Sequence, residues 1–184
     1  TQFGNVSYGL AGGEYRYLEI ATPGSANPTF GFEQRAQQPV IETAAGFYAN
    51  GVIVHISAAD GAEIHYTTDC STPTRTSPLY TGPISISATT VIRAIACAPD
   101  QLCSAVAGAT YFINDSSPVP VVSLYTDNAY LFDDSTGVMV KGTGRTPNYM
   151  KNLQYPCQLE YFDENGQLGI CQMGTFKIAG KTMR

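Results

Sequence analysis

The sequence predicts an all-β protein whose main body is a β-sandwich. Three observations carry this reading. The run Ile64–Ala98 places three strand-like segments around two turn clusters within a short stretch. Gly51–Ser57 alternates so that Val52, Val54 and Ile56 share one face. No amphipathic helix interrupts the region between about residues 28 and 115.

The elements follow in chain order. Residues 1–27 are rich in glycine and tyrosine (Tyr8, Tyr15, Tyr17) and read as one or two strands leading into the polar linker Thr22–Pro28. Residues 28–115 form the sandwich. Val40–Glu42 is its first strand, and Gly51–Ser57 its second. Asp60-Gly61-Ala62 reads as a tight hairpin turn. Runs at 63–68, 84–87, 91–97 and 103–113 complete six or seven strands. Between them, Asp69 and Ser71 are placed to bond backbone N–H groups just ahead, and Pro73 blocks continuation of the strand. Ala88-Thr89-Thr90 is a further turn. The expected core is Val52, Val54, Ile56, Ile64, Tyr66, Ile84, Ile86, Ile92, Ala94, Val106 and Tyr111.

A polar boundary, Asn114–Pro118, opens a β-rich segment over residues 116–184. Here Pro120–Thr126 and Val138–Gly142 read as strands. Gln158–Phe162 and Leu168–Ile170 read as a hairpin closed by Asp163-Glu164-Asn165-Gly166.

Three blocks in the sandwich resemble a known module. Tyr66-Thr67-Thr68-Asp69 with Ser71 and Pro73, then Ser77, Tyr80 and Gly82-Pro83-Ile84, then Thr90 with Ile92-Arg93-Ala94, are similar to the chitobiase/β-hexosaminidase C-terminal module. The resemblance implies an immunoglobulin/fibronectin-III-like sandwich carried as an accessory of secreted bacterial proteins. The glycosidase activity of the namesake resides in a separate barrel. Where that family has glycine after the Asp, this chain has Cys70, which points to a different turn conformation. The Thr22–Pro28 stretch resembles the end of a lamin-tail domain. Pro120–Leu124, Leu131-Phe132-Asp133, Gly137, Val138, Val140, Gly142, Glu160-Tyr161-Phe162 and Gly180–Arg184 resemble the beginning of the spore-coat CotH kinase-like family. The last block departs from that family's usual Gly-Gly-x-Ser-Arg. The nucleotide- and metal-binding acidic residues of that family fall beyond Arg184, so none maps onto this chain.

Composition narrows the function. The chain has 184 residues, 43% of them apolar and 14% charged, so it should fold around a real core. A net charge of −5 with scattered basic residues argues against a nucleic-acid surface. No apolar run approaches the roughly 18 residues of a membrane span. Thr1 is followed by neither a basic region nor an apolar leader, which reads as a mature or trimmed sequence.

Cysteine placement suggests export. Cys97 and Cys103 flank a hairpin loop, and Cys157 and Cys171 flank the second hairpin, so each pair is a candidate disulfide. Buried free thiols are the alternative, and a one-residue slip would set Cys157 and Cys171 on opposite faces.

No catalytic, cofactor-binding or metal site emerges. Gly180-Lys181-Thr182 lacks the glycine spacing and following helix of a phosphate loop, and reads as a strand end. Gly142-Thr143-Gly144-Arg145 reads as a flexible loop. Asp127, Asp133 and Asp134 carry oxygen ligands suited to calcium, but their spacing is that of ordinary turns. His55 and His65 each occupy the polar phase of a strand and read as solvated. Glu160, Asp163 and Glu164 cluster around a hairpin turn, not across a cleft. Twelve tyrosines and eight phenylalanines without tryptophan suggest core packing more than a sugar platform.

The sequence therefore predicts a non-catalytic accessory, adhesion or domain-presenting module of a larger secreted or cell-surface protein. Its expected partners are neighbouring domains, with a surface glycan or protein as a further partner. The alternatives are the N-terminal portion of a CotH-like protein kinase and a carbohydrate-binding module.

Overall fold

The computed structural model describes residues 6–179. Nearly all regular structure in it is β. The hairpin β1 (Ser7–Ala11) and β2 (Glu14–Leu18) opens the chain, and Gly12 and Gly13 at positive φ supply its two-residue turn. The strap after it returns along β2, with Tyr17 and Phe32 exchanging backbone hydrogen bonds of 2.8 and 2.9 Å.

Two layers form the sandwich. One consists of two separate two-stranded sheets, β3 (Val40–Ile41) with β6 (Ile56–Ser57) and β5 (Val52–Val54) with β8 (Ile84–Ile86). The other has the order β4 (Gly46–Tyr48), β10 (Ala107–Ile113), β9 (Thr90–Cys97) and β7 (Glu63–Thr67). β4 runs parallel to β10, and the other pairs are antiparallel. This arrangement is of the immunoglobulin/fibronectin-III kind: a layer of short two-stranded sheets facing a four-stranded one.

The core lies between the sheets. Val54, Ile56 and Ile86 come from the first, and Ile64, Ile92, Ala94, Ala109, Tyr111 and Ile113 from the second. Val52, Tyr66 and Ile84 pack at its margin. Val106 lies outside it, because the chain from Cys103 to Val106 is not yet strand: Ser104 donates its N–H to the Ala96 carbonyl, and β10 begins only at Ala107. Burying each large aliphatic side chain here stabilises the fold by about 1.5–3 kcal/mol.

Three expected elements differ. Gly51–Ser57 is not one strand: it breaks at His55, so that β5 pairs with β8 while β6 pairs with β3. The Asp60–Ala62 turn, with Gly61 at φ +79°, is not a hairpin either. Its flanking strands β6 and β7 belong to opposite sheets, so it arches across the core. Cys70, standing where the resembled module has glycine, itself takes φ +65°, so the left-handed turn survives without glycine.

A second layer follows the sandwich. β11 (Val121–Tyr125), β12 (Tyr155–Phe162) and β13 (Leu168–Phe176) form an antiparallel sheet in that order. The Asp163 carboxylate receives the N–H groups of Asn165 and Gln167, and Gly166 at φ +74° closes the β12–β13 turn. Between β11 and β12 lies the short helix α1 (Asn128–Phe132), capped by Asp127. Val138–Gly142, expected as a strand, is not one. The N–H groups of Val138 and Met139 bond the carbonyls of Tyr130 and Leu131, which spends the donors a ladder would need. After the exposed 143–145 stretch the chain is anchored at Asn148, wholly buried, which donates to the Asp134 carbonyl at 3.0 Å and gives its N–H to the Lys141 carbonyl.

Ile92 sits at the centre of the core with no exposed surface, whereas Ile53 on the outer face of β5 is 58% exposed. Ile92→Ala should cost about 3 kcal/mol of unfolding free energy in urea melts, and Ile53→Ala less than about 0.5.

Candidate functional site

The second sheet docks on the outer face of the sandwich. Along β10 the side chains of Thr110 and Phe112 point away from the core, and Gly108 lies on the same face at period two. Along β11 and β12, Tyr125, Ser123, Glu160 and Phe162 meet them. The Thr110 and Ser123 hydroxyls lie 2.8 Å apart. Phe162 is wholly buried, edge-on to Phe112 (5.5 Å) and Phe47 (5.9 Å), which stack on each other at 4.5 Å. At the other end Tyr125 lies against Gly108, where a Cβ would come within 2.6 Å of the tyrosine oxygen. Only glycine permits that approach.

Glu160 stands in the middle and is 1% exposed. Its Oε2 accepts the Thr110 backbone N–H at 3.1 Å, and its Oε1 accepts the Tyr125 hydroxyl at 3.4 Å. No ion pair forms at it among the described residues. Burial pushes its carboxyl above the usual range, and the bonds from Thr110 and Tyr125 offset this only in part. Burial and the nearby Glu160 also raise the Tyr125 phenol, so it remains a neutral donor.

A second tie joins the layers at α1. Asp127 Oδ2 accepts the Thr72 N–H at 2.7 Å while Oδ1 caps the helix through Ala129 N–H at 3.0 Å. Asn128 donates to the Asp69 carbonyl at 2.8 Å, and Arg93 to the Cys70 carbonyl at 2.6 Å. Burial pulls the Asp127 carboxyl up, but its hydrogen bonds and Arg93 outweigh that and hold it below the usual range.

Beside the dock, a largely apolar cleft of about 1070 Å³ runs between β13 and residues 39–45. Tyr125 and Glu160 lie on its floor, with the start of β10.

The residues singled out by sequence fall as follows. Cys97 and Cys103 are bonded. Their loop holds the strap after β2: Ala36 N–H bonds the Leu102 carbonyl at 2.8 Å, and Leu102 N–H the Gln34 carbonyl at 3.0 Å. Cys157 and Cys171 are free, which corrects their expected pairing. The register sets Cys157 opposite Gly174 and Cys171 opposite Glu160, with Cys157 buried and Cys171 exposed. His55 is exposed, but His65 is buried, another correction. The returning segment 78–80 covers that face of β7, and His65 Nδ1 lies 2.9 Å from the Ser77 carbonyl.

Asp127, Asp133 and Asp134 do not converge. Asp133 caps its own turn through Ser135 and Thr136, which hold its carboxyl at about 2. No cluster of three or more His, Cys, Asp or Glu suited to a metal exists among the described residues. Asp163 and Glu164 do sit at the turn, whereas Glu160 is inside the dock. Gly180-Lys181-Thr182 lies outside the described residues. No helix among those residues is long and apolar enough to cross a membrane. Sequence reasoning missed Glu160 and Thr110 as partners. The available signal was a lone carboxylate in a strand between Leu159 and Phe162.

Fold and site together define a β-sandwich module carrying a docked sheet, with Asp127, Asp133 and Asp163 bonded to backbone and Glu160 in the dock. Residues 43–108 match the family model of the chitobiase/beta-hexosaminidase C-terminal domain. The match ends before Thr110 and Phe112, so it covers most of the sandwich and, of the dock, only Phe47 and Gly108. No curated protein matches the chain.

Two outcomes follow. Glu160 keeps its proton more readily folded than unfolded, so its contribution is fully present below the ordinary carboxylate pKa of about 4.3 and is lost as pH rises through its raised folded value. Glu160→Gln preserves an acceptor for Thr110 N–H without a charge. The stability difference between variant and wild type, from urea melts, should therefore grow in the variant's favour from pH 4 to pH 8, reaching about 1 kcal/mol. Glu160→Ala should instead cost about 2 kcal/mol by orphaning that N–H. Denatured without reductant, the chain should titrate the three free cysteines, and Cys97→Ser with Cys103→Ser should cost about 2 kcal/mol.

Proposed function

We propose that this chain is a non-catalytic accessory module of a larger secreted or cell-surface bacterial protein, where it presents or positions neighbouring domains. The observation that carries this reading is the dock. Glu160, Phe162 and Tyr125 fix the second sheet on the sandwich, so whatever adjoins β13 is held at a set orientation to the sandwich. The match of residues 43–108 to a module that forms the C-terminal domain of glycosidases supports the accessory role. The Cys97–Cys103 bond suits an oxidising compartment. The carboxylates that could do acid–base work are committed elsewhere: Asp127 and Asp133 cap backbone, Asp163 closes a turn, and Glu160 serves Thr110.

A second reading has one observation in its favour. The blocks resembling the CotH kinase-like family, Pro120–Leu124 and Glu160–Phe162, are register partners: Ser123 pairs with Glu160, Val122 with Tyr161 and Val121 with Phe162. On that reading the chain is the N-terminal part of such a kinase, with catalysis supplied by residues outside it.

The decisive assay offers the isolated chain radiolabelled ATP with casein, and separately a chromogenic N-acetylglucosaminide. The expected result is no turnover of either above buffer. Phosphate transfer or sugar release that survives repurification of the chain would overturn the accessory reading.

A further inference from the structure

The sheet β11–β12–β13 ends in a free edge. β13 is nine residues long and paired only with β12, and every residue from Leu168 to Thr175 is exposed, Met173 to 59%. Edge strands usually carry a charge or a proline that blocks pairing with another chain. Leu168-Gly169-Ile170-Cys171-Gln172-Met173-Gly174-Thr175-Phe176 carries neither.

That edge borders the cleft. The consecutive residues Cys171, Gln172 and Met173 all line it. Successive side chains of a strand point to opposite faces, so the strand's edge itself forms the rim. Val40, Ile41 and Ala44 line the opposite wall, and Val40 is 57% exposed. The floor is the stretch of β10 ahead of Tyr111, which has no strand neighbour on its β4 side. At about 1070 Å³ the space is large enough for several residues of an extended segment.

We propose that this cleft is a β-strand addition site for an extended segment of a partner polypeptide. The segment, about five or six residues long, adds to β13 through main-chain hydrogen bonds. Its alternate side chains enter the cleft. Those side chains are apolar where they meet Val40, Ile41, Ala44 and Met173. The added strand continues an interface that already exists: its inward residues extend the layer by which Tyr125, Glu160 and Phe162 pack on β10. The wall at 39–45 favours a single strand over a second copy of this chain, which would bring its whole three-stranded sheet. The cleft borders the dock, with Tyr125 and Glu160 on its floor, and the inference stands independently of the accessory reading.

The test pans a phage-displayed random heptapeptide library against the whole chain. The enriched peptide is then synthesised, its affinity measured by fluorescence anisotropy, and its footprint mapped by amide exchange. Enriched sequences should alternate apolar residues, and the amides of 168–176 should gain protection. Met173→Lys and Val40→Lys, both at exposed positions, should each weaken binding at least tenfold. Ile170→Lys, on the opposite face of β13, should leave it within twofold. The proposal is overturned by an absence of enrichment, by a footprint elsewhere, or by binding indifferent to both lysines. It is equally overturned if wild-type β13 becomes protected with rising protein concentration and sedimentation shows a dimer, which would assign the edge to a second copy.

Discussion

One backbone N–H decides how the two layers meet. β4 accompanies β10 only from Tyr111 to Ile113, so the stretch of β10 before Tyr111 has no strand on that side. The Thr110 N–H is buried there, and a buried donor without a partner costs about as much as a lost hydrogen bond. Glu160 reaches across from β12 and accepts it. Everything else in the dock follows from that one contact by the two-residue period of strands. Two positions along β12, Phe162 falls on Phe112 and Phe47. Two positions back on β10, Gly108 receives Tyr125. A slip of one residue would turn all of them outward.

The chain is sparing with charge, and several of its aspartates bond backbone N–H groups. Asp69 receives the Ser71 N–H and hydroxyl, Asp133 its own turn, Asp163 the β12–β13 turn, and Asp127 both a helix start and Thr72. These are the tasks that short-stranded β proteins set at every reversal, where N–H groups leave the ladder. The same economy explains why chemistry is scarce. A carboxylate with two or three donors is stabilised in its charged form and is a poor proton carrier at neutral pH. Glu160 is the exception in environment, but its oxygens already have partners.

Much of the sandwich was legible in the sequence, and the reasons are local. Val54 and Ile56 alternate with polar neighbours, Ile64 and Ile92 lie in β-branched runs, and Asp69 with Ser71 announces its turn. Pairing was not legible, because it is decided across the core. Asp60-Gly61-Ala62 has hairpin chemistry, yet β6 and β7 part to opposite sheets. His65 keeps polar phase on β7 but is covered by a segment a dozen residues later. Val138–Val140 has strand propensity, yet α1 takes its donors. Cys157 and Cys171 flank one turn, but the register puts them three pairs apart. Glu160 was seen as a turn carboxylate because its partner, fifty residues upstream, belongs to another strand of another layer.

The choice of glutamate at 160 also bears on specificity. An apolar residue of equal size would pack as well but leave Thr110 N–H without an acceptor. A carboxyl supplies two acceptor oxygens, and here they face donors from different elements, the β10 backbone and the β11 side chain of Tyr125. Both are satisfied only when β11 and β12 are in register and seated on β10 together. Desolvating the carboxyl costs stability, and mispaired or half-docked states incur that cost without its compensation. The buried acid therefore weakens the docked state less than it weakens its competitors, and the sheet that carries the free β13 edge is set at one orientation on the sandwich.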